Sequence, residues 1–237
     1  PALVRERWER LAPAVVVDGP RMSEEQMAVD PAGAEEVARG ERPATLRFWR
    51  WASPAVICGR YQSIADEVDL ARARELGIHV VRRASGGGAM LVTPGGTLTY
   101  SLYAPAWFVD GLSVARAFRL CDAWLLAALR SLGVDARFAG LNDIASPAGK
   151  IGGAAQLHVA AADGGPGCVL HHDTLAYAMD GDVLAQVLRP SAEKMSDKAV
   201  KSAARRVDPL DRQLALPLDA LIEYLADFAR RFPAYNG

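Results

Sequence analysis

The stretch Arg82-Arg83-Ala84-Ser85-Gly86-Gly87-Gly88-Ala89-Met90 sets two arginines just before three consecutive glycines. Glycine has no Cβ, so its backbone can approach a ligand closely and turn N–H groups toward it. Arginine adds a planar positive fork that suits phosphate or carboxylate. The apolar segment His79-Val80-Val81 leads in, and Thr97-Leu98-Thr99-Tyr100-Ser101 follows the Pro94-Gly95-Gly96 turn. Two readings stand side by side: an oxyanion or phosphate cradle between strands, or a hairpin turn with exposed arginines.

A second signal is Asn142-Asp143-Ile144, followed by Lys150-Ile151-Gly152-Gly153-Ala154-Ala155-Gln156. A lysine among small residues can bring its ammonium against an anion without obstruction. Asp143 could bind a metal or orient that lysine; a surface lysine at a glycine turn is the plain alternative. A third is Leu170-His171-His172-Asp173-Thr174-Leu175, where adjacent histidines on a strand face opposite ways and cannot readily share one metal. A fourth, Glu193-Lys194-Met195-Ser196-Asp197-Lys198 with Ser202, Arg206 and Val207, reads alone as a solvated charged helix.

The elements that must position these residues alternate irregularly. Val15-Val16-Val17 is a short strand candidate. Ser23 and Gln26 suggest a capping box for a helix from Glu24, which Pro31 and Gly33 should break and Gly40 should end. Alternation over Leu46 to Arg50 predicts a strand, as does Ala55 to Cys58. A helix is expected over Asp69 to Leu76, and one long helix over Val114 to Leu132, stopped by Gly133. Short strands are expected over Asp135 to Phe138 and Cys168 to Tyr177, helices over 183–188 and 192–204, and an amphipathic helix over Leu218 to Phe232. Strands follow one another in pairs, which favours an α+β fold with a mixed, largely antiparallel sheet packed with helices.

Composition narrows the partners. The 237 residues carry a net charge of −1, against the basic excess of a general nucleic-acid binder. Cys58, Cys121 and Cys168 are too few and too dispersed for a disulfide framework or a Cys-x-x-Cys zinc site, so a reducing cytoplasm is expected. No apolar run is long enough to cross a bilayer, so no membrane association is expected.

Together and in this order, the four signals resemble the lipoate–protein ligase A family, relatives of biotin–protein ligases and octanoyltransferases. Arg82 to Ala89 match its arginine–glycine motif; Asn142, Asp143, Lys150, Ile151, Gly153 and Ala154 match its Asn-Asp and lysine motif; His171, His172, Thr174 and Leu175 match His-His-Gly-Thr-Leu; Lys194 through Leu210 match a lysine-rich segment ending in Arg-Val. The resemblance implies a single catalytic domain over 1–237 with a biotin/lipoate-ligase fold. It also implies two reactions: lipoate and ATP form lipoyl-adenylate, and the acyl group then passes to a lysine of a lipoyl-acceptor protein. Arg83, Gly86, Gly87, Gly88, Ala89, Met90 and Leu91 would meet the nucleotide. Lys150 would touch the acyl carbonyl and α-phosphate, with Gly87 and His171 also beside the lipoyl group. Mg2+ would accompany the phosphates, with Asp143 its candidate ligand, and an apolar tunnel near Tyr100 and Trp49 would take the tail. The accessory domain common in this family is expected on a separate subunit.

Two departures stand out. Val92-Thr93 replace the usual His-Asp, and Asp173 replaces the glycine of the histidine motif. Either that position needs a positive φ, which aspartate tolerates, or Asp173 alters specificity beside a ligand. The competing functions are an octanoyltransferase working without ATP, for which Cys168 is the candidate thiol, and a non-catalytic acyl-binding scaffold.

Overall fold

The computed structural model describes residues 2–179, 186–189 and 207–234. The helix expected over 192–204 and half of that over 183–188 lie outside these residues, as do Lys194, Ser202 and Arg206. Seven strands form one sheet in the spatial order β1 (Ala14–Val17), β2 (Thr45–Trp49), β6 (Thr97–Pro105), β10 (Cys168–Ala176), β9 (Lys150–Val159), β8 (Asp143–Ala145) and β7 (Arg137–Ala139). Only β1 and β2 run parallel; the other neighbours are antiparallel. A second sheet has the order β4 (His79–Arg82), β3 (Ala55–Cys58), β5 (Met90–Val92), with β3 parallel to β4 and antiparallel to β5. The architecture is the expected α+β arrangement dominated by antiparallel pairing.

Side-chain alternation splits the large sheet into two working faces. One carries the main core, where Phe48, Tyr100 and Val169 meet Trp8 of α1 (Ala2–Leu11), Trp124 of α6 (Ala123–Ser131) and Phe228 of the helix Leu218–Arg231. The other face packs Tyr103, Cys168 and Leu170 against Ala34, Val37 and Ala38 of α2 (Ser23–Ala38). The small sheet buries Val56, Cys58 and Leu91 with Val68, which ends α3 (Ile64–Glu67), and Ala73 of α4 (Leu70–Glu75). Its other face joins Trp49 and Trp51 through Ala55, Ile57 and Val92, and so meets the end of β2.

Two helices differ from expectation, each for a polar reason. α2 is continuous through Pro31 and Gly33 for 16 residues. Proline forfeits one backbone hydrogen bond, but the preceding Asp30 is anchored by Arg47, Ser101, Tyr103 and His172 from three strands of the sheet below. The capping residue is Met22, whose N–H donates to Glu25, while Gln26 points inward to Arg47 and the Arg50 carbonyl. The single helix expected over Val114 to Leu132 is two, α5 (Val114–Cys121) and α6, separated at Asp122 with φ −92° and ψ 1°. There the Asp122 carboxylate turns into the core to meet His171 Nε2 at 2.6 Å and the Tyr100 hydroxyl.

Candidate active site

The arginine–glycine stretch is not a hairpin. It leaves β4, passes over the end of β3 and enters β5 on the far side. Gly87 adopts φ +98°, and its carbonyl lies so close to Gly59 that a Cβ there would stand 2.0 Å from it. Only a backbone stripped of side chains can cross at that separation.

Both arginines are spent on holding this crossing. Arg82 Nη1 donates to the carbonyls of Gly59, Arg60 and Gln62 at 2.8, 3.0 and 2.7 Å. Arg83, 6% exposed, donates from Nη2 to Gly86 O at 2.6 Å and Gly88 O at 3.0 Å, from Nη1 to Ile57 O, and from Nε to Ser85 Oγ. Burial lowers the Arg83 pKa to about 10. That still leaves a cation at neutral pH, one that faces carbonyls and no carboxylate among these bonds.

The loop walls one side of a cleft of about 150 Å³ between the two sheets. Gly87, Gly88, Ala89 and Met90 line it together with Arg83, and Lys150 and Asn142 line it from the large sheet. The Lys150 side chain is 38% exposed, and its ammonium sits 2.8 Å from Asp143 Oδ1. Asn142 donates from Nδ2 to Ala154 O at 2.6 Å, and its own carbonyl accepts from the Ala154 N–H, so the Asn-Asp pair is pinned to β9. Met27, Trp49, Trp51 and Ile57 make the apolar part of the lining. The two indole N–H groups are satisfied by Ser101 Oγ at 2.8 Å and Thr99 Oγ1 at 3.2 Å, so the rings carry no unmet donor. The cleft therefore offers cations and turned backbone at one part and an aromatic-aliphatic wall at another. That suits an amphiphile with an anionic head and a fatty tail.

Some expected residues lie elsewhere. Gly86 gives its carbonyl to Arg83 and abuts Tyr61, outside the cleft lining. The Leu91 side chain is 3% exposed and belongs to the core of the small sheet. His171 has no exposure and faces away from the cleft, bonded to Asp122, Tyr100 and Gln156; the histidine that lines the cleft is its neighbour His172. Tyr100 likewise points into the core, so of the two expected tail contacts Trp49 lines the cleft and Tyr100 does not.

Asp143, the expected magnesium ligand, is engaged with Lys150, and no carboxylate belongs to the cleft lining. Among the described residues no cluster of three or more His, Cys, Asp or Glu could hold a metal. These side chains do not make a resident metal cage.

Asp173 needs no positive φ: it sits in regular strand β10, fully buried on the core face, and does not line the cleft. Neither carboxyl oxygen has a hydrogen-bond partner by distance and angle. Burial first, then the charge of Asp122, push its pKa well above the usual carboxylate range; Lys150 and the Gly153 N–H pull the other way and lose. Cys168 is also fully buried on β10, and burial pushes its thiol up to about 12. Trp51, Met27, Thr174 and His172 are cleft residues that sequence reasoning gave no role. A strand period of two separates His171 from His172 but does not say which faces the ligand.

A family model described as the lipoyl protein ligase A/B catalytic domain matches residues 23–229. Lipoate-protein ligase A subunit 1 of Thermoplasma acidophilum is 32% identical over 197 residues, covering 81% of this chain and 73% of that protein. Octanoyltransferase LipM of Symbiobacterium thermophilum is 41% identical over 122 residues, covering 52% of this chain and 43% of that protein. A solved structure of a bipartite lipoate protein ligase and its E2 lipoyl domain from Thermoplasma acidophilum superposes with a TM-score of 0.77 at 28% identity, covering 94% of this chain and 83% of that one.

Proposed function

Because the chain belongs to the family of the lipoyl protein ligase A/B catalytic domain, we propose that it is the catalytic subunit of a lipoate–protein ligase. A carboxylate oxygen of lipoate or octanoate attacks the α-phosphorus of ATP, pyrophosphate leaves, and an acyl-adenylate remains. The ε-amine of a lysine on a lipoyl-acceptor protein then attacks the acyl carbonyl and expels AMP, leaving an amide.

The observation that carries this reading is the meeting of Lys150, the turned glycine loop and an apolar wall in one cleft. Bringing a carboxylate onto a phosphate accumulates negative charge, and an ammonium placed at that junction stabilises it most where the charge develops. Gly87, Gly88, Ala89 and Met90 supply backbone to the nucleotide side, and Arg83 acts by holding the carbonyls of Gly86 and Gly88. The tail lies along Trp49, Trp51 and Met27. Mg2+ would come with the ATP phosphates and offset their charge there.

A bipartite relative supports a second subunit alongside the acceptor. A reducing cytoplasm suits three unpaired, buried thiols. No described helix is long and apolar enough to cross a membrane.

The octanoyltransferase relative supports a second reading, transfer of octanoyl from one carrier to another without ATP. None of the three cysteines lines the cleft, which weighs against a thiol nucleophile for that route.

The deciding experiment incubates the chain with lipoate and ATP and follows pyrophosphate and acyl-adenylate, then adds a lipoyl domain, with and without a second subunit. Acid-dependent pyrophosphate release that disappears in Lys150→Ala is expected. Release that persists unchanged in Lys150→Ala would remove the role given to that residue. Modification from an octanoyl carrier with no ATP, and no pyrophosphate, would establish the transferase.

A further inference from the structure

A polar line runs from α2 to the glycine loop through the one histidine that lines the cleft. Asp30 is 4% exposed. Its Oδ1 accepts from Tyr103 OH at 2.7 Å and Arg47 Nη1 at 3.2 Å; its Oδ2 accepts from Ser101 Oγ at 2.7 Å and lies 3.1 Å from His172 Nδ1. The other ring nitrogen, His172 Nε2, is 2.6 Å from Ser85 Oγ, and Ser85 Oγ also accepts from Arg83 Nε at 3.2 Å.

Chemistry orders every proton along this line. An ionised carboxylate only accepts, so His172 carries its proton on Nδ1. In the neutral ring Nε2 is then an acceptor, so the Ser85 hydroxyl donates to it. An arginine Nε–H only donates, so the remaining Ser85 lone pairs take it. The Asp30 carboxyl is held ionised as this ordering requires. Burial raises its pKa, but the hydrogen bonds it accepts, first from His172 and then from Ser101 and Tyr103, bring it below the usual value.

We propose that Asp30 is a positioning residue that acts through His172 and Ser85, fixing the histidine tautomer and thereby the set of the glycine loop over the acyl cleft. The use to which the loop is put rests on the function proposed above; the proton order and its hold on the loop do not. Asp30 sits on α2, His172 on β10, and Ser85 between β4 and β5, so the line ties the large sheet to the small one beside the cleft. A reversed tautomer would set a bare Nδ1 lone pair against the ionised Asp30 carboxylate and turn Ser85 Oγ from donor to acceptor toward the ring, cutting the line at its α2 end.

The test reads the ring directly. The sequence has four histidines, so the His172 imidazole nitrogens can be assigned by their loss in His172→Gln. In the full chain at about pH 8, His172 should show a protonated Nδ1 and an acceptor Nε2. Asp30→Asn should move it toward the Nε2–H form. Hydrogen exchange of the loop amides should quicken roughly tenfold in Asp30→Asn and in Ser85→Ala, a loss of about one hydrogen bond's net worth. Neither change should add to the exchange already seen in His172→Gln. Should Asp30→Asn fail to fold, Ser85→Ala and His172→Asn carry the same exchange test, because His172→Asn keeps a donor toward Asp30 but has no atom at Nε2.

An Nε2–H tautomer in the wild-type chain would overturn the inference. So would an Asp30→Asn or Ser85→Ala effect of full size in the His172→Gln background. Octanoate binding measured by calorimetry separates the two proposals: absent binding with the expected tautomer and exchange sinks the function and leaves the proton line standing.

Discussion

The Lys150 ammonium reaches the Asp143 carboxylate across Gly153, and the space it occupies is the space a Gly153 side chain would take. A Cβ on Gly153 would stand 2.5 Å from Lys150 Nζ and 3.1 Å from Asp143 Oδ1. The register places Asp143 opposite Gly153 on adjacent strands, which makes this gap a property of the sheet. The small residues after the lysine are therefore a berth for its own side chain.

Gly153→Ala should move the ammonium without unfolding the chain, since β9 accepts alanine readily. We expect adenylate formation to fall at least about tenfold, equivalent to about 1.4 kcal/mol of transition-state stabilisation, with a melting temperature close to the parent's. An unchanged rate would mean that the observed lysine position is not the working one.

Arg83→Lys keeps the charge and loses the fork. One ammonium cannot serve Gly86 O, Gly88 O, Ile57 O and Ser85 Oγ together, so loop carbonyls are left without a donor. Each buried orphan costs about 1–3 kcal/mol. Lower thermal stability and weaker nucleotide binding are expected together, measured by melting and by calorimetry with ATP. A fully active, equally stable Arg83→Lys enzyme would show that charge alone suffices there.

Cys168→Ala should leave acyl transfer unaltered, with or without ATP. The thiol is buried against Tyr103 and Leu170, away from the cleft, and its pKa of about 12 keeps it protonated. Abolished transfer from an octanoyl carrier in this variant would restore the acyl-enzyme route.

Asp173 gives a pH dependence of definite sign. Its folded pKa lies above the unfolded one, so the native state retains a proton that the unfolded chain releases. Its contribution to stability is fully present below the ordinary carboxylate value of about 4 and is lost as pH rises from there toward the raised folded value. Asp173→Asn should remove this loss, raising the melting temperature at about pH 8 and changing it little at about pH 4. A melting curve whose pH profile is the same in both proteins would mean that the carboxyl has found a partner or water.

Much of the cleft lining was legible in the sequence because it is written in residues with few other uses. Three successive glycines beside two arginines, and a lysine before Gly152-Gly153, mark a loop and a cation whatever the fold. What stayed hidden depended on which face of a strand looks where. Family motif position sets Leu91 beside the nucleotide, yet alternation along β5 turns its side chain into the core of the small sheet. Trp51 and Met27 come from segments with no chemical signature of their own. The helix break at Asp122 and the continuity of α2 through Pro31 follow from buried carboxylates whose partners lie far along the chain, which local propensity cannot register.

The alternation of β10 has a consequence for how this protein can change over time. His171 and His172 differ in chain position by a single step, yet one completes a buried group with Asp122 and the other meets Asp30 and Ser85. Inserting one residue upstream in that strand would carry His171 into the place of His172 and leave Asp122 facing Leu170, and deleting one would carry His172 into the place of His171 and leave Asp30 facing Asp173. Length variation in this family member should therefore be tolerated in the turns on either side of β10 and forbidden within it.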